Sequence, residues 1–171
     1  MHDKNLTFTD QIYAALRAAG LDFFVSVPCK LLGELIVKLA DDPNIIYTPV
    51  SREEEGVGMA CGAFLSGRHP AIVMQNSGFG NSINAIMALL NYYRIPVVFV
   101  VSHRGSPGEP IEAQKMMGNV ICDLLDLVDI EVLDLKSPGQ IAEVPPAIAQ
   151  ARMQQRSIAV LLPFSFWSAT E

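Results

Sequence analysis

The sequence predicts an α/β fold: a single domain in which a mostly parallel sheet of six strands is covered by helices on both faces. Short apolar, β-branched segments alternate along the chain with segments of helical spacing, as expected when crossover helices join parallel strands. A parallel sheet of this kind is buried on both faces, which suits strands that are apolar along their length. The 171 residues are the length of one ordinary domain, so residues 1–171 are expected to form one unit.

Six segments have the composition of buried strands, and most of them end in polar or glycine-rich residues. They are FFVSV at 23–27, IIYTPV at 45–50, AIVMQ at 71–75, PVVFVVS at 96–102, IEVLDL at 130–135 and SIAVLLP at 157–163.

The first and last helices have recognisable ends. Thr7 and Thr9 are candidate N-caps of a helix whose apolar positions are spaced three and four apart, and Gly20 suits the residue that follows its C-terminus. Near the end of the chain, Pro145 and Pro146 fit the first turn of a helix that reaches about Gln155, because proline is tolerated where the helix needs no amide donor.

Composition and charge exclude several classes of protein. Half of the residues are hydrophobic and only 18% are charged, which excludes a disordered chain and favours an oligomer. The net charge of −6 gives no general attraction to nucleic acid or anionic membrane. Cys29, Cys61 and Cys122 are odd in number and widely spaced, with no CxxC pair and no histidine at metal-ligand spacing, so they indicate neither a zinc site nor a disulfide framework. With no secretory leader pattern or membrane-length apolar run, a soluble cytoplasmic protein is expected.

Polar and glycine-rich segments follow four of the predicted strands. In a parallel sheet the carboxyl ends of the strands share one edge, and ligands bind there where the strand order reverses. The sequence therefore predicts a functional site formed by residues 28–30, 51–56, 76–81 and 103–108.

Each of these segments also has a structural interpretation. Glu53, Glu54 and Glu55 at a helix start interact favourably with the helix dipole without any further role. The small residues of GVGMACGAFLSG that follow nevertheless let a backbone or ligand come close to that helix start. The glycines of NSGFGNSIN, 76–84, resemble a phosphate-binding turn but match neither a Walker A loop nor GxGxxG.

The segment HRGSPGEP, 103–110, leaves two alternatives open for its arginine. Arg104 has the geometry to bind an anionic substrate in a bidentate manner, or to pair with a carboxylate of its own chain. His103 is more typical of a hydrogen-bonding loop residue than of a catalyst, and Lys30 of a solvated side chain. Tyr92 and Tyr93 are interpreted, with Phe99, as aromatic residues of the core or an interface.

Taken in order, four motifs resemble the pyrimidine-binding domain of thiamine-diphosphate-dependent decarboxylases over nearly the whole chain. In that family a glutamate after the second strand stands nine residues before a glycine, as Glu53 stands before Gly62, and the third strand leads to a Ser-Gly-x-Gly element, as at 77–80. The motifs are VSVPC, SREEEGVGMACGAFLSG, MQNSGFGNSINAI and IPVVFVVSHRG.

The resemblance implies a division of roles among these residues. Glu53 is the catalytic residue that activates the cofactor by sharing a proton with its pyrimidine ring, in a nearly buried setting supplied by Val57, Met59 and Phe64. The other residues implied to contact the cofactor are Pro28, Ser77, Gly78, Phe79 and Asn81. The residues implied to bind substrate are Arg104 first, then Lys30, Asn76, Gln114 and His103.

The resemblance also implies a partner. The diphosphate and Mg²⁺ of such a cofactor are held by a second domain with a GDG element, and no GDG occurs in this sequence. A separate β subunit is therefore expected to carry that domain and the metal, so that this chain has no metal ligands of its own. Self-association into a hetero-oligomer is expected, with the helix at 56–67 as a contact.

Within the family, QNSGFGN and RGSPGE resemble the branch that decarboxylates phosphonopyruvate and sulfopyruvate. Cys29 stands where phosphonopyruvate enzymes typically carry an acidic residue, and this resembles the sulfopyruvate enzymes with a separate α subunit. The implied reaction converts 3-sulfopyruvate to sulfoacetaldehyde and CO₂, as in coenzyme M biosynthesis. The alternatives are phosphonopyruvate or another 2-oxo acid as substrate, or a non-catalytic regulatory subunit.

Overall fold

The computed structural model describes residues 6–168 and contains a sheet of six strands that are all parallel. The prediction of an α/β domain with a six-stranded sheet is confirmed. The strands are β1 Phe23–Ser26, β2 Ile46–Pro49, β3 Pro70–Gln75, β4 Val98–His103, β5 Glu131–Asp134 and β6 Ile158–Pro163, in the spatial order β2-β1-β3-β4-β6-β5.

Helices connect all of these strands, so every crossover is helical. Two short stretches depart from α-helical geometry: a π-helical turn over Ile86–Asn91 and a 3₁₀ turn over Pro138–Glu143. None of the helices within residues 6–168 has both the length and the apolar character needed to cross a membrane. The α-helices are α1 Phe8–Ala18, α2 Gly33–Asp41, α3 Glu53–Leu65, α4 Asn76–Asn81, α5 Ile83–Ala85, α6 Glu112–Leu127, α7 Val144–Met153 and α8 Ser165–Ser168.

The structure contains the helix ends predicted at Thr7, Gly20 and Pro145, whereas Thr9 lies within α1 and does not cap it. The Thr7 hydroxyl accepts a hydrogen bond from the Asp10 amide at 3.1 Å, the Asp10 carboxylate accepts one from the Thr7 amide at 3.0 Å, and together they satisfy free amides at the helix start. After α1, Gly20 has φ +78°, as predicted for the residue beyond the cap. Pro145 and Pro146 lie in the first turn of α7, which ends two residues short of Gln155.

The helices form a layer on each face of the sheet, and each layer encloses its own core. One core lies between the sheet and α1, α2 and α7. The other lies between the sheet and α3, α6 and the π-helical turn. Strands β4 and β6 each have a neighbouring strand on both sides and are buried at every position, which suits their largely apolar sequences.

Of the three aromatic residues that were interpreted together, only Phe99 belongs to the core. Phe99 is fully buried, whereas Tyr92 is 77% and Tyr93 64% exposed, and the two tyrosine rings contact each other edge to face. Their side chains lie on the outer surface because they belong to the helical turn that ends before β4, and that turn buries Ile86 and Leu90 instead.

The strand order places a chain reversal between β1 and β3. The chain leaves β1 toward β2 through α2, and returns to β3 on the other side of β1 through α3. These two crossover helices pack in opposite layers. A crevice therefore opens at the carboxyl ends of β1 and β3, where ligands bind in sheets of this type.

Candidate active site

Glu53 is the first residue of α3 and stands beside this crevice. Arg52 before it is extended, with φ −140° and ψ 143°, so the chain turns sharply from β2 into the helix. Gly56 lets the start of α3 lie close to the sheet, because a Cβ at this position would lie 3.2 Å from Val25 Cγ1. The sequence of small residues in α3 thus sets the position of the Glu53 side chain.

The three consecutive glutamates have different partners. Glu54 accepts a hydrogen bond from its own backbone amide and pairs with the Arg52 guanidinium at 2.6 Å, and these two contacts hold the pKa of this carboxyl below its usual range. Glu55 accepts hydrogen bonds from the amides of Ser51 at 3.2 Å and Arg52 at 3.3 Å and so caps the helix. Glu53 has no hydrogen-bond or ion-pair partner within residues 6–168 and is partly exposed, not nearly buried as predicted.

The Glu53 side chain lies directly over the backbone of Gly78. A Cβ at position 78 would lie 2.3 Å from Glu53 Oε1 and 2.4 Å from Glu53 Cγ, so only glycine leaves room for the carboxylate. The segment around Gly78 is not the turn that the sequence suggested, because helix α4 begins at Asn76 immediately after β3. Its glycines serve close approach: a Cβ on Gly80 would lie 2.9 Å from Met117 Cε.

Of the residues predicted to contact the cofactor, Gly78 lies against Glu53, and the prediction for Phe79 needs a correction. The Phe79 side chain is fully buried and packs edge to face on Phe99, with ring centroids 5.5 Å apart. It belongs to the core, because the helix that exposes Ser77 and Asn81 turns Phe79 toward the sheet. Only the backbone of Phe79 remains for a ligand, whereas Pro28, Ser77 and Asn81 are exposed.

Arg104 is paired with a carboxylate of its own chain, which is the second of the two alternatives that the sequence left open. Its Nε and one terminal nitrogen donate to the two oxygens of Glu109 at 2.6 and 2.8 Å. The Glu109 side chain is fully buried and that of Arg104 is 10% exposed. Glu109 also accepts hydrogen bonds from the amides of Gly105 and Ile111, so one carboxylate organises the whole loop.

The same loop is held against α6 and α4 through its backbone. The backbones of Gly105, which has φ +86°, and Gly118 of α6 are in close contact. A Cβ on Gly105 would lie 2.4 Å from the Gln114 carbonyl oxygen and 2.9 Å from Gly118 Cα, so a larger residue would not fit there. The His103 ring nitrogen Nε2 lies 3.1 Å from the Gly118 carbonyl oxygen, and Asn76 Nδ2 donates to the Arg104 carbonyl oxygen at 2.7 Å. These contacts give His103 a hydrogen-bonding role and fix the loop in one position.

Two buried polar atoms in this region have no partner within the described residues. They are Asn76 Oδ1 and His103 Nδ1. A buried acceptor without a hydrogen-bond partner costs free energy unless a ligand or water reaches it. Although both side chains are buried, these unpaired atoms are therefore consistent with the predicted substrate-binding role.

Lys30 lies at the carboxyl end of β1, on the same edge as Glu53. It is exposed and has no hydrogen-bond or ion-pair partner in residues 6–168, and it lines a cavity of about 250 Å³ beside the start of α1. Next to it, the Cys29 thiol lies 3.3 Å from the Ser102 hydroxyl. The structure thus brings residues from β1 and β4 together at the crevice.

Gln114 lies on α6 and reaches the same edge. Its Oε1 accepts a hydrogen bond at 3.0 Å from Gln75 Nε2, which also donates to the Ser77 hydroxyl at 2.9 Å. Sequence reasoning missed Gln75, Glu109 and Gly118 as members of this network. The only available signal was Glu109 five residues after Arg104, across a loop with two glycines.

Comparisons with known proteins agree with this architecture. The model of the family "Thiamine pyrophosphate enzyme, N-terminal TPP binding domain" matches residues 6–127. The sulfopyruvate decarboxylase subunit alpha of Methanothermobacter thermautotrophicus is 41% identical over 160 residues, which cover 93% of this chain and 97% of that protein. That of Methanocaldococcus jannaschii is 47% identical over 129 residues, which cover 75% and 76%.

More distant proteins share part of their length with this chain. The phosphonopyruvate decarboxylase of Streptomyces viridochromogenes is 40% identical over 121 residues, which cover 70% of this chain but only 30% of that protein. Among solved structures, the thiamine diphosphate-dependent 4-hydroxybenzoylformate decarboxylase of Rhodococcus jostii superposes with a TM-score of 0.72 at 17% identity, over 94% of this chain and 31% of that one. This last likeness concerns the fold.

The buried ion pair generates a prediction about stability. The Arg104 guanidinium, with help from the two amides, lowers the pKa of Glu109 from 4.5 to about 2. A carboxyl whose pKa is lower in the folded state than in the unfolded state stabilises the fold. This stabilisation is fully present above the pKa of the unfolded state and is lost as the pH falls toward the pKa of the folded state. At pH 7 the shift corresponds to about 3 kcal/mol, and we expect Glu109→Gln to lower the free energy of unfolding by about that amount, measured by urea denaturation.

The difference between wild type and Glu109→Gln should narrow as the pH falls from about 4.5 toward 2. Asp22→Asn is the matched control, because Asp22 pairs with the more exposed Arg68 and surface pairs contribute about 0–1 kcal/mol. Equal losses for the two variants, or a loss for Glu109→Gln that does not depend on pH, would contradict the assigned role.

Proposed function

The chain belongs to the family of thiamine pyrophosphate enzymes defined by the N-terminal TPP-binding domain, and on that premise we propose that it is the α subunit of a sulfopyruvate decarboxylase. The observation that carries the proposal is the 41% identity to such a subunit over 97% of its length. The proposed reaction converts 3-sulfopyruvate to sulfoacetaldehyde and CO₂ in the cytoplasm, within sulfonate metabolism that leads to coenzyme M.

The residues at the crevice fit the pyrimidine half of thiamine diphosphate. A pyrimidine ring nitrogen needs a carboxyl group that is not already neutralised, and Glu53 alone of the three glutamates has no partner in residues 6–168. Gly78 removes the side chain that would occupy the space beside the carboxylate. We infer that the ring is contacted by Glu53, Pro28, Ser77 and Asn81 and by the backbone of Gly78 and Phe79.

Glu53 has one chemical task in this proposal: it shares a proton with the ring nitrogen N1′ of the cofactor. When bound, thiamine diphosphate supplies the electron sink for the negative charge that remains when a 2-oxo acid loses CO₂. Glu54 and Glu55 are tied to Arg52 and to the helix start, so neither competes for this proton. The Glu53 side chain lies over Gly78, so its carboxylate is available at the crevice.

We propose Lys30 as the first ligand of the sulfonate, ahead of Arg104. The Arg104 guanidinium is neutralised by Glu109 in a buried pair, which makes Arg104 a residue that positions the loop. Lys30 is exposed at the same edge and is not neutralised. Asn76, Gln114 and His103 remain proposed neutral donors or acceptors to the substrate, with the unpartnered Asn76 Oδ1 and His103 Nδ1 pointing to a missing ligand or water.

The proposed partner is a β subunit that carries the diphosphate-binding domain and Mg²⁺. It is supported by the name of the relatives, subunit alpha, and by the absence of a GDG element from the sequence. Met59 on α3 and Met87 on the π-helical turn are exposed apolar side chains, which suits burial in a hetero-oligomer.

Phosphonopyruvate is the second candidate substrate, favoured by the 40% identity to a phosphonopyruvate decarboxylase. Both substrates are 2-oxo acids with an anionic group on the third carbon, so the same cation would meet either one. Comparing kcat/KM for the two substrates separates the candidates.

The proposal predicts that the chain has no decarboxylase activity by itself. With thiamine diphosphate and Mg²⁺ present, the full chain should release CO₂ from sulfopyruvate only after the β subunit is added. The reason is that the β subunit is proposed to supply the ligands of the diphosphate and the metal. Turnover of about 1 s⁻¹ or more, which is ordinary for enzymes, from the chain alone would contradict the split site. No turnover by the reconstituted complex would contradict the function.

Among the glutamates, Glu53→Gln should slow hydrogen–deuterium exchange at C2 of the bound cofactor about 10²-fold or more, as is typical for a lost acid–base group. The exchange is measured by NMR after acid quench of the reconstituted complex. Glu54→Gln and Glu55→Gln are matched controls that should exchange normally, although each removes an intrachain contact. Normal exchange in Glu53→Gln would show that the carboxyl has no such role.

For the substrate, Lys30→Gln should raise the KM for sulfopyruvate roughly tenfold or more, the cost of a charge-assisted contact, and should leave pyruvate turnover unchanged. Lys115→Gln is the control, since Lys115 is an exposed lysine that pairs with Glu112. A Lys30→Gln variant that loses both substrates equally, or neither, would assign the sulfonate to another residue.

A further inference from the structure

The amino-terminal edge of the sheet, opposite Glu53, has an unusual set of helix ends. Arg94, Asp129 and Gln155 precede β4, β5 and β6, and each has φ +54°, the left-handed conformation that side chains disfavour. The helices α1 and α3 end in the same way but use glycines, Gly20 and Gly67. Arg94 and Gln155 in particular carry long side chains at positions where glycine would adopt the backbone conformation more easily, whereas aspartate tolerates it better.

Helix capping does not explain these side chains. At each of the three ends the backbone completes its own cap: the amides of Ile95, Ile130 and Arg156 donate to the carbonyl oxygens of Leu90, Leu125 and Ala151 at 2.8, 3.0 and 2.9 Å. This is the backbone pattern in which glycine normally takes the left-handed position. A residue kept in a disfavoured conformation indicates a role for its side chain.

The three side chains line one cavity of about 410 Å³, together with Asn91, Gln154 and Arg156. The charges of this wall sum to +1 (Arg94, Arg156 and Asp129) in a chain whose net charge is −6. Arg94 is exposed and its guanidinium has no partner within residues 6–168. Arg156 pairs with Asp129, yet its Nε is buried and lacks a hydrogen-bond partner.

An apolar cavity of about 420 Å³ adjoins the polar one and shares Arg94, Ile95 and Gln155 with it. Its other walls come from the end of α3 and the turn before β4, and are Cys61, Phe64, Leu65, Leu89 and Tyr93. Apolar walls with a few charged donors at one end are typical of small-molecule sites, and each volume lies within their usual range of about 300–1,000 Å³.

From these observations we propose a second ligand site at the amino-terminal edge, which takes a small organic anion with an apolar or aromatic body. The anionic group is held by Arg94 and by the free Nε of Arg156, and the body lies between Phe64, Leu89 and Tyr93. This site is independent of the proposed decarboxylase activity, because it uses none of the residues at the carboxyl edge.

The test uses two matched fluorescent probes with the full chain: 8-anilinonaphthalene-1-sulfonate, and N-phenyl-1-naphthylamine, which has the same rings without the charge. Arg94→Gly should weaken binding of the sulfonate about tenfold and leave that of the neutral probe unchanged, while the melting temperature rises because glycine accepts φ +54° freely. Arg94→Lys keeps the charge and should retain most of the affinity. Phe64→Ala should weaken both probes.

Lys136→Gln, which removes an exposed lysine at the other edge, is the control and should change neither affinity. The site is rejected if Arg94→Gly binds the sulfonate as wild type does, or if it weakens both probes equally. It is also rejected if adding the β subunit displaces the bound probe, since the cavity would then be a subunit interface.

Discussion

A carboxylate without a partner, Glu53, lies over the backbone of Gly78, and the surrounding residues keep it unpaired. The nearest cation along the chain, Arg52, is neutralised by Glu54, and the free amides at the helix start are satisfied by Glu55. Of the three consecutive glutamates, one therefore pairs with Arg52, one accepts hydrogen bonds at the start of the helix, and Glu53 remains available to a ligand.

The second constraint is the buried pair of Arg104 and Glu109. Both charges are removed from water, and such a pair is stable only when the remaining hydrogen-bonding groups are satisfied. Glu109 meets this condition with two loop amides, and the contact of Gly105 with Gly118 holds the loop on α6. The loop at the end of β4 is thus held in one position beside the crevice.

Burial of the sheet on both faces confines ligand binding to its two edges. At the carboxyl edge the start of α3 supplies a carboxylate beside a chain reversal. At the amino edge three helices end in residues that hold a disfavoured backbone conformation. Helix α3 runs from one edge to the other: it begins at Glu53 and ends beside the apolar cavity at Leu65.

The sequence by itself determined the fold class, the six strands, the ends of the first and last helices and the edge at which the site lies. These follow from hydrophobic spacing and backbone preferences, which are local properties of the chain. It also placed Glu53 at a helix start beside a glycine-rich segment, through motifs at fixed spacing. The family resemblance added the cofactor.

Only the tertiary structure decided which charged groups are paired. The choice of Glu109 as the partner of Arg104, the burial of Phe79 and the role of Gly78 as space for a carboxylate all depend on distances between segments. Contacts between distant segments, such as Gly105 on Gly118 or Glu53 on Gly78, leave no periodic signal in a single sequence. For the same reason the convergence of Arg94, Asp129 and Gln155 was invisible, because residues about 30 positions apart meet only once the parallel strands align their starts at one edge.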